Sequence, residues 1–320
     1  MGIDQPLGVA ADPALALIGE RAAKVQRRTA GATLRAAARS RRGRFGLVLA
    51  TPVVLLAFLG PLFAPQSPSE FVTAQFAPRS PSALLGGDEL GRDVLSRLMF
   101  GGWRLLLMAT AATMLGVAVG TAIGIAAAYF GRWPDGVLMR AVDVVLAFPQ
   151  LVFALVLVSV IGPKIWLIVV AIGVSHVPQV ARVIRAATLD IAERDFVKAT
   201  QLLGVSSGKV ATTEILPNLV TPLMVEIGLR LTFSIILMAG LSFVGLGVQP
   251  PAADWGVMIN ENRLGLGSNP WGVIAPAIVI AILTVGLNTF TDAVSRVALG
   301  VDPSRPVARG KRLLRRGAAR

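Results

Sequence analysis

Apolar residues in this sequence are gathered into long blocks, at about 45–64, 104–130, 142–161, 165–181, 219–248 and 271–297. A run of roughly 20 apolar residues, coiled as a helix, spans the ~30 Å hydrocarbon layer of a bilayer. In that solvent every backbone N–H and C=O must find its partner inside the protein, which leaves helices or closed barrels. A barrel strand would alternate apolar and polar residues over about ten positions. These blocks are apolar on all sides and about twice that length. The sequence therefore predicts an all-α membrane protein, a polytopic bundle of about six transmembrane helices. Only 15% of its residues are charged, against about 25% in a soluble domain.

Charge sets the expected orientation. A net charge of +13 and a pI near 11.5 would suit a nucleic-acid binder, but the positions of the bases argue otherwise. Arg21, Lys24, Arg27, Arg28, Arg35, Arg39, Arg41, Arg42 and Arg44 precede the first block, and seven Arg or Lys residues from Arg305 to Arg320 follow the last. Excess Lys and Arg mark the cytoplasmic side and attract anionic lipid. Tails 1–44 and 299–320 are thus expected in the cytoplasm. The first helix is expected at 45–64, an external segment at 65–102, and five further helices within 103–298. A cytoplasmic loop at 182–217 carries Arg182, Arg185, Arg194, Lys198 and Lys209, and the loop at 249–270 falls outside. The first block follows a long basic tail without a small-residue cleavage site, and reads as an uncleaved anchor.

Bond-making chemistry finds little purchase. There is no cysteine and one histidine, His176, so no thiol nucleophile and no histidine cluster for a metal. The segment from Gly204 to Lys209 has three residues between its glycines, and Val210 follows the lysine. A phosphate loop needs four, then Lys, then Ser or Thr. Gly204 reads instead as the end of one short helix, with Ser206 or Ser207 capping the next. His176, near the end of the fourth block, reads as a packed, hydrogen-bonded residue. Asp143 beside Arg140, and Asp292 four before Arg296, read as interfacial ion pairs. Glu226 and Arg230, one turn apart inside the fifth block, are either a self-satisfied pair or a polar wall of a solute path. Gly116, Gly120 and Gly124 make a smooth face suited to close helix packing. In the 182–217 loop, Phe196, Ala199 and Leu203 form a narrow apolar stripe on a polar helix. It packs either on the chain's own bundle or in a groove on a soluble partner.

Three segments then resemble a known family. Residues 85–97, Leu-Gly-Gly-Asp-Glu-Leu-Gly-Arg-Asp-Val-Leu-Ser-Arg, are similar to a long stretch typical of the peptide and nickel subgroup of membrane permeases in bacterial binding-protein-dependent ATP-binding-cassette importers. Residues 195–218, with Gly204 and the ending Ile215-Leu216-Pro217-Asn218, resemble the cytoplasmic loop that marks these permeases. Residues 241–251 followed by Asp254-Trp255-Gly256 resemble a further subgroup signature. The family's Glu-Ala-Ala stands here as Lys198-Ala199-Thr200, which leaves open whether Lys198 replaces a glutamate contact to the ATPase.

The resemblance implies a type I importer fold like that of the second permease of dipeptide and oligopeptide systems, with Phe196, Lys198, Ala199, Leu202, Leu203, Gly204 and Pro217 docking an ATPase. It also implies a second permease, two cytoplasmic ATPase subunits that hydrolyse the ATP, and an external solute-binding protein. The chain would bind no cofactor and hydrolyse nothing itself. Nickel-chelate or glutathione transport by the same fold stays open as an alternative. A more distant one is an autonomous secondary transporter, which would need inverted repeats and broken helices; the sequence shows neither.

Overall fold

In the computed structural model, residues 30–300 are described; the basic residues before 30 and after 300 lie outside that range. The described residues form helices and turns without a strand, apart from three isolated bridges within residues 71–93. In chain order the first helices are α1 (Ala30–Arg39), α2 (Arg41–Phe63), α3 (Val94–Phe100), α4 (Gly102–Phe130), α5 (Arg132–Leu146) and α6 (Gln150–Ile161). They are followed by α7 (Ile165–Ala192), α8 (Asp195–Leu202), α9 (Ser207–Val210), α10 (Val220–Phe243), α11 (Trp255–Asn262) and α12 (Trp271–Ala298). Five helical stretches are long and apolar enough to cross a membrane, and the bent pair α5–α6 makes a sixth if it counts as one span.

The centre of the bundle is the seam between α4 and α7. A Cβ added at Gly116 would lie 2.6 Å from the Gly173 carbonyl oxygen, one at Gly120 2.7 Å from Val180 Cβ, and one at Gly124 2.7 Å from the Ala181 carbonyl oxygen. The three glycines therefore let backbone meet backbone, the form of helix association available in lipid, where burial of apolar surface gives no driving force. A second seam joins α2 to α12, where Gly46 and Gly286 lie against each other's backbone.

Several elements depart from the sequence expectations. The segment before the first span is helical from Ala30: α1 buries Thr33 and Ala37 against Ala293, Val294 and Val297 of α12. The first spanning helix begins at Arg41 rather than 45, because the Ser40 side chain accepts from the Gly43 amide and caps it there. The third block is two helices bent by 80°. Pro149 lacks an N–H and disfavours helix at the residue before it, so the helix stops at Leu146 and restarts at Gln150. A broken span is thus present where the sequence shows none.

The fourth span runs on to Ala192, well past 181, with Ile184, Thr188 and Ile191 on its buried face. The loop expected at 182–217 is correspondingly shorter, beginning at Glu193 rather than 182. His176 consequently sits in the middle of α7, fully buried. Its Nε2 pairs with Ser234 Oγ at 2.9 Å, and Ser234 with Thr113 Oγ1 at 3.0 Å, joining α7, α10 and α4. Asp143 pairs with Arg182 of α7 at 2.6 Å, not with Arg140, since α5 lies along the inner half of α7. Asp292 does pair with Arg296, at 2.9 Å, and also with Arg42, at 3.1 Å.

The α4–α7 seam generates a direct test. Gly120→Val should destabilise the protein by about 1–3 kcal/mol or more, because the added atoms meet backbone that cannot move away. Gly136→Ala in α5, where a Cβ meets nothing within 4 Å, should be neutral or stabilising by up to about 1 kcal/mol. Thermal unfolding of the two detergent-solubilised variants, with membrane abundance monitored, measures the contrast.

Candidate functional site

Two regions outside the apolar blocks concentrate unusual side chains. The first is the end of the bundle that carries α8. This helix is fastened to the bundle by Val197, fully buried among Val180, Ile184 and Ile191 of α7, Val210 of α9, and Ile215 and Leu219. Gln201 Nε2 also donates to the Tyr129 hydroxyl at the end of α4, at 2.8 Å. The opposite side is bare: Leu202 is 89% exposed, Leu203 82% and Phe196 39%, with Lys198 and Ala199 exposed between them. The stripe of Phe196, Ala199 and Leu203 therefore points away from the chain's own bundle. Val197, the residue that does pack, was not singled out by the sequence, although it lies off the stripe on the opposite side of the helix.

Gly204 follows α8 with φ +78° and nothing within 4 Å of a Cβ position. It ends the helix because this left-handed conformation is strained for any side chain. Ser206 is the N-cap of α9, without a side-chain cap bond. Pro217 lies exposed in a 3-10 turn (Leu216–Leu219) that follows a π-helical turn (Ala211–Ile215). Its missing N–H breaks the regular ladder at that point.

Glu226 and Arg230 lie on α10, both mostly buried, with Arg230 Nε donating to Glu226 Oε2 at 3.1 Å. The guanidinium is also 5.5 Å from the Phe233 ring. Ser234, one turn further on, carries the bond to His176. Residues 226, 230 and 234 thus form a polar stripe at four-residue spacing.

The second region is an ion cluster that joins the segment before α3 to α11. Asp88 Oδ2 accepts from Arg92 Nε at 2.6 Å and from Arg97 Nη1, while its Oδ1 accepts from the Leu90 and Arg92 amides. Glu261 of α11 accepts from Arg97 Nη1 at 2.7 Å and from Arg92 Nη2 at 3.1 Å. Asp88 and Arg97 are completely buried, Arg92 nearly so. Around this cluster Asp93 caps α3, Asn269 Nδ2 donates to the carbonyls of Leu85 and Gly87, and Trp255 Nε1 donates to Leu98 O. Asp254 caps α11 through Oδ1. Its complete burial raises its pKa to about 6. The motif at 85–97 is therefore a staple: it locks the segment before α4 to the segment after α10. Sequence reasoning valued this motif only for its resemblance. Glu261, more than 160 positions away, carries no local signal of its role.

Residues 120–298 match the family described as binding-protein-dependent transport system inner membrane component. A peptide permease protein of Brucella ovis is 40% identical over 251 residues, covering 77% of this chain and 83% of that one. The chain belongs to this permease family. It is accordingly a multi-pass inner-membrane subunit of an ATP-binding-cassette importer. The dipeptide transport system permease protein of Alkalihalophilus pseudofirmus is 32% identical over 248 residues, 77% of the permease and 82% of that protein. A chain of the MetNI methionine ABC transporter, in an inward-facing conformation, superposes with a TM-score of 0.47 at 16% identity, covering 62% of the permease and 94% of that chain.

The staple predicts an asymmetry among ion pairs. Removing one partner of a buried pair strands the other and costs about 3–5 kcal/mol. Arg97→Ala or Glu261→Gln should therefore lower the melting temperature and the membrane abundance of the permease. Arg42→Ala breaks an exposed pair and should cost about 0–1 kcal/mol. Parallel thermal melts in detergent separate the two classes, and equal losses would remove the staple's structural role.

Proposed function

We propose that this permease passes peptides through the membrane, driven by two ATPase subunits, one of which docks on α8. The observation that carries the reading is the apolar ridge of Phe196, Leu202 and Leu203, exposed on a helix beyond the spanning blocks. Exposed leucines in a spanning helix meet lipid, but the ridge lies in a polar segment. An apolar helix face of this kind fits a groove on a soluble partner. Val197 and Gln201 hold the helix from behind, so force applied to the ridge passes to α7 and α4.

The names of the relatives support peptides as the solute. An external binding protein delivers the peptide, and a second permease of like fold completes the path. Glu226 and Arg230 form part of its polar wall. The chain itself binds no cofactor, and its partners hydrolyse the ATP. Both termini lie in the cytoplasm, with the stapled segments outside.

Leu203→Glu should leave abundance near normal while ATPase recovered with the solubilised permease falls at least about tenfold, since a charge would enter the dry part of the groove unpaired. Wild-type recovery of ATPase with this variant would overturn the docking reading. Orientation is checked separately, in a chain that has no cysteine of its own. With Leu264→Cys and Lys198→Cys made singly, an impermeant thiol reagent on intact cells should label position 264 and spare position 198. The reverse pattern would invert the map.

A further inference from the structure

Within the bent span, α6 buries Ala154 and Val158 in the main core, whereas α5 is weakly anchored by packing. Among the described side chains of α5, Val142 alone is fully buried. Its tie to the bundle is polar instead. Arg185 of α7 grips Asp135 with both arms, Nε to Oδ1 at 2.6 Å and Nη2 to Oδ2 at 2.5 Å. This two-pronged geometry fixes direction as well as distance. The second tie, Arg182 to Asp143, is single and more than half exposed, so it contributes little.

Two weak points lie side by side further along the same helices. Pro149 marks the break between α5 and α6, and Pro178 interrupts the hydrogen-bond ladder inside α7. They are neighbours in space: Gln150 Nε2 donates to the Ser175 carbonyl at 3.0 Å, three residues before Pro178. Beyond Pro178, α7 continues unbroken to Ala192, and only Glu193 and Arg194 separate it from α8. Prolines at one level in adjacent helices form a natural line of bending.

We infer that Arg185 is a positioning residue of the transport cycle. Its clamp on Asp135 makes α5 follow the docking helix as one body, turning about the line through Pro149 and Pro178. Motion of α8 passes into the inner half of α7, across the clamp into α5, and so to the bend at which α6 begins. Without the clamp, α7 moves and α5 lags. The inference rests on α8 being the ATPase seat.

The test uses the whole transporter with its ATPases and binding protein. Arg185→Asp leaves the ridge on α8 untouched, so ATPase recovery should match wild type. Uptake of dialanine per assembled complex should fall about tenfold or more, while ATP hydrolysis continues. The exchanged pair Asp135→Arg with Arg185→Asp should restore uptake to within about threefold. Arg185→Lys, which keeps the charge without the fork, should fall between them, and covers the case in which the reversal assembles poorly.

A structural readout independent of solute comes from spin labels at Val137→Cys in α5 and Glu193→Cys before α8. Their separation should stay within about 2 Å on adding ATP in the wild-type background, and should broaden with Arg185→Asp. A separation that shifts with ATP in the wild-type background would overturn the inference. So would wild-type uptake by Arg185→Asp, or an exchanged pair no better than the single reversal. Failure of the docking reading is distinct: the ATPase would then not be recovered even with the unaltered permease. Failure of the peptide reading would show as no dialanine uptake by wild type, with the label distances still decisive.

Discussion

The contact between α4 and α7 supports both ends of the molecule. At Gly116, Gly120 and Gly124 the two helices approach so closely that a single methyl group would strike backbone or a Cβ. Lipid offers no reward for gathering apolar side chains together, so association depends on dispersion over a surface without gaps, and on few polar bonds. The His176–Ser234–Thr113 chain adds α10 to the same pair of helices. From this seam α4 leads back, through α3, to the ion cluster at one end of the molecule. Helix α7 leads to α8 at the other.

The two ends solve different problems. At the stapled end, Asp88, Arg92, Arg97 and Glu261 are taken from water together. Each charge is matched, but the removal of any one leaves the others stranded in a low-dielectric site. Such a cluster favours one arrangement of the loops strongly over its neighbours. At the other end, the polar ties are half-exposed and the apolar ridge on α8 is uncovered. The stapled end is held in one form, and the end at α8 is tied more loosely.

Much of this was legible in the sequence. Long apolar blocks dictate spanning helices, because the bilayer allows almost nothing else, and the glycine spacing in α4 announced a packing face. Gly204 as a helix terminator, and the stripe of Phe196, Ala199 and Leu203, follow from local rules of backbone conformation and helical period. The break at Pro149 was there to be read, but hydropathy sums over it and sees one block. The continuation of α7 to Ala192 was hidden by its polar outer face, and so His176 was placed at the end of a helix whose middle it occupies.

The pairing of charges was beyond the sequence. Asp143 has Arg140 within reach along its own helix, yet pairs with Arg182, because α5 is laid against α7. Glu261 meets Arg97 only after four spanning stretches have brought the two external segments together. Which side of α8 faces the bundle was likewise settled by Val197 finding its pocket. Solvent and backbone act on each residue through its near neighbours in the chain, so the sequence by itself determined the class of fold, the spans and the short-range caps. Charge pairing and facing depend on distances between remote segments, and only the packed bundle sets those.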